Sequence, residues 1–335
     1  MILSGGGLLF AVVIALLVDA LFGEPEWVWR KVPHPVVWFG KLIDIWDHCF
    51  NDPNKHISSS SRRLSGFVGL ALGIVCLGLA AWLIEAVLLM AGWVGYLVIG
   101  VAGSVLVAQR SLYDHVQAVQ DPLALHDIAG GRQAVSMIVG RDPKKLDEPG
   151  IARAAIESLA ENFSDGIVAP VFWFCLFGLP GLIIYKFVNT ADSMIGHRTE
   201  RYEAFGWAAA RFDDLLNLVP ARLTMALLLF APFRSEASMR SKAVSQLWQG
   251  ILADAPRHRS PNAGWPEAAM AQRLDIALSG PRYYGDALTD EPFVNPDGKR
   301  EIGAAEIEAS LSLYHSACWI EGGCVAALAL FSNLL

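Results

Sequence analysis

AAIESLAENFSDGIVAPVFWFCLFGLPGLIIYKFVNTADSMIGHRTERYEAFGWAAARFDDLLNLVPARLT, residues 154–224, decides what kind of protein this is. It sets Glu157, Glu161, Asn162, Asp165, Asn189, Asp192, Arg211, Asp213, Asp214, Asn217 and Arg222 among apolar runs. An ionisable group in so oily a setting loses hydration that only a partner or an ion replaces, so many together mark a site rather than a surface. The run 166–185 is apolar, but Gly178-Leu-Pro-Gly181 cuts it into pieces too short for a hydrocarbon core about 30 Å thick. Pro220 and Arg222 interrupt 215–233 in the same way. Irregular backbone at membrane depth survives only under cover of protein or in a wet cavity, so both runs read as re-entrant or broken helices.

Outward from this stretch the composition agrees. Of 335 residues, 54% are hydrophobic and 18% charged, against about 25% charged in a soluble domain. The class is an all-α polytopic membrane protein, with the lipid bilayer as its first partner. Net charge is −7 and no basic stripe appears, so nucleic acid is not an expected partner. Five cysteines lie outside any C-x-x-C pair and read as buried structural thiols. The apolar N-terminus has no basic n-region and no A-x-A site, so it reads as a span and not a cleaved signal.

Four full spans are expected, at 1–22, 66–90, 92–109 and 313–334, with 151–233 as the active-site core and 234–312 as a cytoplasmic segment of helices and loops, all in one integral membrane domain. Lysine and arginine test the arrangement. Residues 23–65 hold six, 110–165 six, 186–214 four and 234–312 nine, whereas 1–22, 66–109 and 313–335 hold none. The positive-inside rule then places the polar segments in the cytoplasm. If 166–185 is re-entrant, every basic residue is inside, and both termini are outside.

Ile151–Phe163 reads as a helix opened by Pro149, with Glu157 and Glu161 on one face, a like-charged pair that favours a cation or a basic partner between them. His34, between two X-Pro steps, suits a ligand contact or a plain turn. No phosphate-loop, dinucleotide or H-E-x-x-H pattern occurs. What remains is acid–amide–arginine chemistry. Glu161-Asn162-x-x-Asp165, Asn189-x-x-Asp192 and Asp213-Asp214-x-x-Asn217 suit Mg²⁺, which takes oxygen ligands and keeps waters and phosphate oxygens. Arg211 and Arg222 suit phosphate or carboxylate. The same residues would equally make a buried polar network that locks broken helices.

The blocks RDPKKLD, AAIESLAENFSDGIVAP, NTADSMIGH, FGWAAARFDDLLNLVPARLT and SPNAG, with HPV near residue 34 and QRSL near 110, resemble the CobD/CbiB family of cobalamin biosynthesis, the membrane-bound adenosylcobinamide-phosphate synthases. The resemblance runs in order over nearly the whole chain. It implies a ligase dependent on ATP and Mg²⁺, joining the free propionate of the corrinoid adenosylcobyric acid to the amine of aminopropanol phosphate or a related amino alcohol. Acyl phosphate and acyl adenylate both remain open as the activated form. Taken with the residue reading, Glu161, Asp165, Asp213 and Asp214 are expected to be catalytic. Asn162, Asn189, Arg211, Asn217, Arg222, Asn262 and Arg141 are expected to bind ATP or substrate. Asp192, Asp213 and Asp214 are expected to hold the metal. Trp173, Trp207 and the Tyr283–Tyr284 pair are candidates for an aromatic wall, but suit packing or interface anchoring better. The implied location is the bacterial inner membrane with active-site loops facing the cytoplasm. Other late cobalamin-pathway membrane enzymes or a second copy are the implied partners.

Three rivals stay open. A CDP-alcohol phosphotransferase would share a D-G-x-x-A start at Asp165, but Pro170 stands where its arginine should be. A transporter would use broken helices, yet no repeated halves are visible. An AmpE-like membrane sensor shares distant similarity.

Overall fold

The computed structural model describes residues 6–52, 57–139, 146–232, 242–284, 287–289 and 291–332, the side chains of Glu26 and 282–289 excepted. In chain order its helices are α1 (Gly6–Phe22), α2 (Glu26–Trp29), α3 (Pro35–Phe50), α4 (Ser59–Leu89), α5 (Trp93–Ser104), α6 (Gln109–Ala124), α7 (Ile128–Val135), α8 (Glu148–Phe163), α9 (Ala169–Ile195), α10 (Trp207–Leu216), α11 (Leu218–Phe230), α12 (Val244–Asp254), α13 (Gly264–Leu274) and α14 (Ala304–Phe331). Among the described residues four helical runs are long and apolar enough to cross a membrane: Ser59–Leu89, Trp93–Ala124, Glu148–Ile195 and Ala304–Phe331. The protein is therefore all-α with membrane-spanning helices. The expected first span, α1, has 17 residues, roughly 25 Å of helix against a core of about 30 Å.

The chain divides into two compact units, one of Met1–Ala108, Ala169–Asn217 and Cys324–Leu335, the other of Gln109–Val168 and Leu218–Gly323. The stretch expected as one active-site core, 151–233, is thus shared between them.

In the first unit α1 packs on α5, and α9 packs on α3, α4 and α10. The α1–α5 approach depends on Gly100, where a Cβ would stand 2.7 Å from the Ala11 carbonyl oxygen. A tight turn through Gly92, at φ 62°, joins α4 to α5. The long helix α4 leaves Phe67, Leu72, Leu79 and Trp82 exposed, as a lipid-facing surface requires. Inside α9 the expected break is present: Gly178 sits at φ 66°, ψ −153°. Its successor Leu179 gives its N–H to the buried Glu85 carboxylate of α4 at 2.6 Å. An acid on a span thus caps the second half of a broken helix, replacing the partner that the break removed.

The second break falls elsewhere than the sequence suggested. The chain interrupts its helix at Asn217, between α10 and α11, and not at Pro220 or Arg222. Pro220 lies in the first turn of α11, where a missing N–H costs no helical bond. Cys49, Cys76 and Cys324 are exposed rather than buried. His34 is structural: its Nδ1 accepts from the Val36 N–H at the start of α3, and its Nε2 lies 2.9 Å from the Val105 carbonyl oxygen.

In the second unit α8 is capped by Asp147, which accepts the Gly150 N–H at 2.9 Å. Its buried face (Ile151, Ile156, Leu159, Phe163) packs toward α6, α7 and α13. Phe163 meets Tyr314 edge-on at 5.0 Å. The segment 234–312, expected as helices and loops, also contains four short strands among its described residues. β1 (Leu278–Ser279) pairs antiparallel with β4 (Phe293–Val294), and β2 (Arg282–Tyr284) with β3 (Ala287–Thr289).

Candidate functional site

In the first unit α9 brings Asn189 and Asp192 to one face, three residues apart, and α10 brings Asp213 and Asn217, four apart. Asp213 accepts from Asn189 Nδ2 at 3.3 Å and from Asn217 Nδ2 at 3.0 Å. Asn217 in turn accepts from the buried Tyr185 hydroxyl at 2.9 Å. Asp213 is buried. Burial, and then the negative charge of Asp192, push its carboxyl up to about 7, while the two amide donors pull the other way. A carboxyl so placed changes charge near neutrality in the metal-free protein.

Asp214 is one residue on and faces differently. It is half-buried and meets the exposed Arg211 at 3.4 Å. Its carboxyl is raised by burial, against the pull of Arg211 and Arg198. The two adjacent acids therefore sit in different surroundings. Trp173 gives its indole N–H to the Leu216 carbonyl at 3.2 Å and stacks on Phe177, which makes it packing. Trp207 is exposed and carries the Arg63 guanidinium 3.6 Å above its ring.

The remaining expected residues belong to the second unit. Glu161 and Asn162 are exposed on α8, and Asp165 lies in a single π-turn, Ser164–Val168. Asn162 binds back to Ser158, at 2.9 Å to its carbonyl and 3.1 Å to its hydroxyl. The Glu157–Glu161 pair does not share one environment. Glu157 is buried and accepts the Ser279 N–H at 2.7 Å. A backbone donor meets it. One turn earlier Arg153 reaches the Ala277 carbonyl at 3.3 Å and the Arg300 carbonyl at 3.1 Å.

Arg222 donates to Asn262 Oδ1 at 2.8 Å and lies 4.6 Å above the Trp265 ring. Asn262 does not cap α13. The turn before that helix is closed by Ser260, whose hydroxyl accepts the N–H groups of Asn262 and Ala263. Arg141 lies outside the described residues, as do the side chains of Tyr283 and Tyr284.

The structure thus gathers Asn189, Asp192, Asp213, Asn217 and, at the edge, Asp214 with Arg211. Sequence reasoning missed Tyr185, although a lone hydroxyl in the apolar run GLIIYKF, four residues before Asn189, is a usable signal. It also missed Glu85, Glu267 and Ser279. Among the described residues no group of three or more His, Cys, Asp or Glu could by itself hold a metal ion. Two carboxylates with amide oxygens suit Mg²⁺ only as part of a shell completed by water and phosphate.

The CobD/CbiB protein family model matches residues 12–314. A cobalamin biosynthesis protein CobD of a Sinorhizobium species is 46% identical over 326 residues, 96% of this chain and 98% of the relative. One from Rhodobacter capsulatus is 49% identical over 308 residues, 91% of this chain and 92% of the relative. One from Brucella anthropi is 48% identical over 325 residues, covering 96% and 97%. No solved structure matches.

Proposed function

The chain belongs to the CobD/CbiB family, and from that premise we propose that it is a cobalamin-pathway enzyme that forms an amide, using ATP to join a corrinoid propionate to a small amino alcohol phosphate. The observation that carries the reading is Asp213, buried beside Asp192 and held near neutrality between two oriented amides.

A carboxylate acylates poorly. ATP activates it by transferring a phosphoryl or adenylyl group to its oxygen, and the amine nitrogen then forms the C–N bond as that group leaves with the C–O electron pair. The attacking nitrogen must first lose a proton. Asp214, half-buried with its carboxyl raised by burial, is suited to take it. Asn189 and Asn217 fix the Asp213 carboxylate so that no reorganisation is needed as charge develops. Asp192 and Asp213, with phosphate oxygens, would hold Mg²⁺, which supplies charge stabilisation for the transferring group. Arg211, exposed beside Asp214, offers a planar donor to phosphate. In the second unit Asn262 holds Arg222 in place for a carboxylate or phosphate of the substrate. Active-site loops in the cytoplasm, where ATP is found, accord with the distribution of basic residues.

The test is a purified, reconstituted protein given ATP, Mg²⁺, cobyric acid and the amine. ATP consumption that needs both organic substrates, with an amide product by mass spectrometry, supports the reading. Consumption with neither, or product without ATP, overturns it.

A further inference from the structure

Between α4 and α10 of the first unit runs a groove of about 470 Å³. It is lined by Leu70, Ala71 and Ile74 of α4 and by Ala208, Phe212 and Leu215 of α10, among others, and of its described lining residues only Arg211 is charged. The three α10 residues stand at i, i+4 and i+7 and so share a face. Asp213 and Asn217 bond to Asn189 and Tyr185 of α9 instead. The groove is thus on a different side of α10 from the acid site.

Its size and place suit a hydrocarbon chain. α4 is one of the helices long and apolar enough to cross a membrane, and at the groove its Phe67 and Val75 are exposed by 57% and 55%. From Phe67 to Val75 the groove follows α4 for roughly 12 Å, against about 15 Å for one leaflet of the hydrocarbon core. At about 30 Å³ for a group the size of a water, the space takes on the order of fifteen methylenes. Spread over its length it has a cross-section of roughly 40 Å², about half of what an α-helix about 10 Å wide needs. A chain enters it and a helix of a second copy does not.

The polarity changes where a lipid's would. Arg63 precedes Phe67 by one turn of α4 and is exposed. Its guanidinium lies 3.6 Å above the ring of Trp207, which also lines the groove. An indole and a guanidinium at the start of an apolar span belong at headgroup level. Among the described residues no carboxylate pairs with Arg63. Asp214 stands against both Arg211 and Arg198, so this end of the groove keeps an excess of positive charge. An occupant with a tail for the groove and a negative head for Arg63 is complementary to it.

We propose that the groove between α4 and α10 is a binding site for one anionic phospholipid of the leaflet at the Arg63 end, with its phosphate on Arg63 and an acyl chain between the two helices. The site does not depend on the amide-forming reading above.

The full chain, freed of lipid in detergent, is titrated with phosphatidylglycerol and with phosphatidylcholine of the same chains, and bound lipid is counted by native mass spectrometry. A basic residue at a membrane surface favours an anionic lipid by about five-fold. Phosphatidylglycerol should therefore bind tighter than phosphatidylcholine by about that factor or more, and raise the melting temperature further. Glycerol 3-phosphate, a phosphate without a tail, should not displace it. Arg63→Gln should bring the two lipids to equal affinity. Ala71→Phe, which fills the groove, should weaken both several-fold. Arg63 is exposed, so its variant tests the head even if Ala71→Phe does not fold. Equal affinities in the wild type, an unchanged preference in Arg63→Gln, undiminished binding in a folded Ala71→Phe, or displacement by glycerol 3-phosphate overturns the proposal. A dimer that Ala71→Phe dissociates also overturns it, and makes this face a contact between copies.

Discussion

Tyr185 donates its hydroxyl proton to the Asn217 side-chain oxygen at 2.9 Å, and that bond decides which way the Asn217 amide faces. With its oxygen engaged, Asn217 must turn its NH₂ to Asp213. Tyr185→Phe removes the donor and keeps the ring. The buried Asn217 oxygen is then unsatisfied, at a cost of about 1–3 kcal/mol, and the amide is free to flip. Denaturant unfolding should show that loss, and turnover should fall several-fold. A variant with unchanged stability and turnover would mean that the tyrosine does not orient the site.

Asp213 gives a dependence of stability on pH. Its folded carboxyl lies at about 7, above the ordinary 3.8, so the folded state binds the proton more tightly than the unfolded chain. This contribution is fully present below about pH 4 and is lost as pH rises to about 7. In metal-free protein, Asp213→Asn should flatten the melting-temperature profile between pH 4 and 7 and raise stability at pH 8. A profile identical to wild type would show that Asp213 is already ionised throughout this range.

The two adjacent acids should separate functionally. Asp213→Asn is expected to lower turnover by about 10²-fold or more, the scale of one lost electrostatic contact in a transition state, and to abolish any thermal shift produced by Mg²⁺ with ATP. Asp214→Asn disturbs an exposed contact with Arg211, and should keep part of that shift. Equal losses in both variants would restore the pair as one unit. A full Mg²⁺ shift in both would remove them from metal binding.

The fold class was legible because apolar length is a property of the sequence alone, and the break at Gly178 because glycine and proline act locally. The break at Asn217 was not: an asparagine followed by Leu-Val-Pro carries no stronger punctuation than the Pro220 that α11 absorbs in its first turn. The site was half legible. Spacing placed Asn189 with Asp192 and Asp213 with Asn217, since three and four residues share a helix face. Spacing could not tell that Glu157 faces a strand 122 residues away while Glu161 is exposed. Burial by tertiary contacts chose between two acids that look alike in sequence.

Membrane orientation is open to a direct test. From the distribution of basic residues, 186–214 is expected in the cytoplasm. Arg201 is a poor reporter, because its guanidinium pairs with buried Asp47 and its carbonyl accepts from Asn51. Glu200, exposed next to it, is a better one. In a background without the native cysteines, Glu200→Cys should resist an impermeant thiol reagent in intact cells and react after lysis. Ready labelling in intact cells would put this loop outside and require 169–195 to cross the membrane.

Arg222 and Asn262 should behave as one unit. The asparagine oxygen holds one arm of the guanidinium, the Leu218 carbonyl another at 3.1 Å, and the Trp265 ring lies beneath. Asn262 therefore acts on the site through the arginine and not as a helix cap. Hydrogen bonds to charged groups contribute about 1.5–3 kcal/mol, so Asn262→Ala should lower stability by an amount of that order. It should also raise KM for ATP or the corrinoid several-fold, because Arg222 is then held by its remaining contacts alone. In an Arg222→Ala background the hydrogen bond between them is already gone, and Asn262→Ala should add less to either quantity than it does alone. Arg222→Lys keeps the charge but loses the planar stack on Trp265, so it should recover only part of the KM. A double-mutant cycle measures this coupling directly. Additive effects of the two alanine substitutions, with KM unmoved by either, would show that the pair only fastens α11 to the turn before α13.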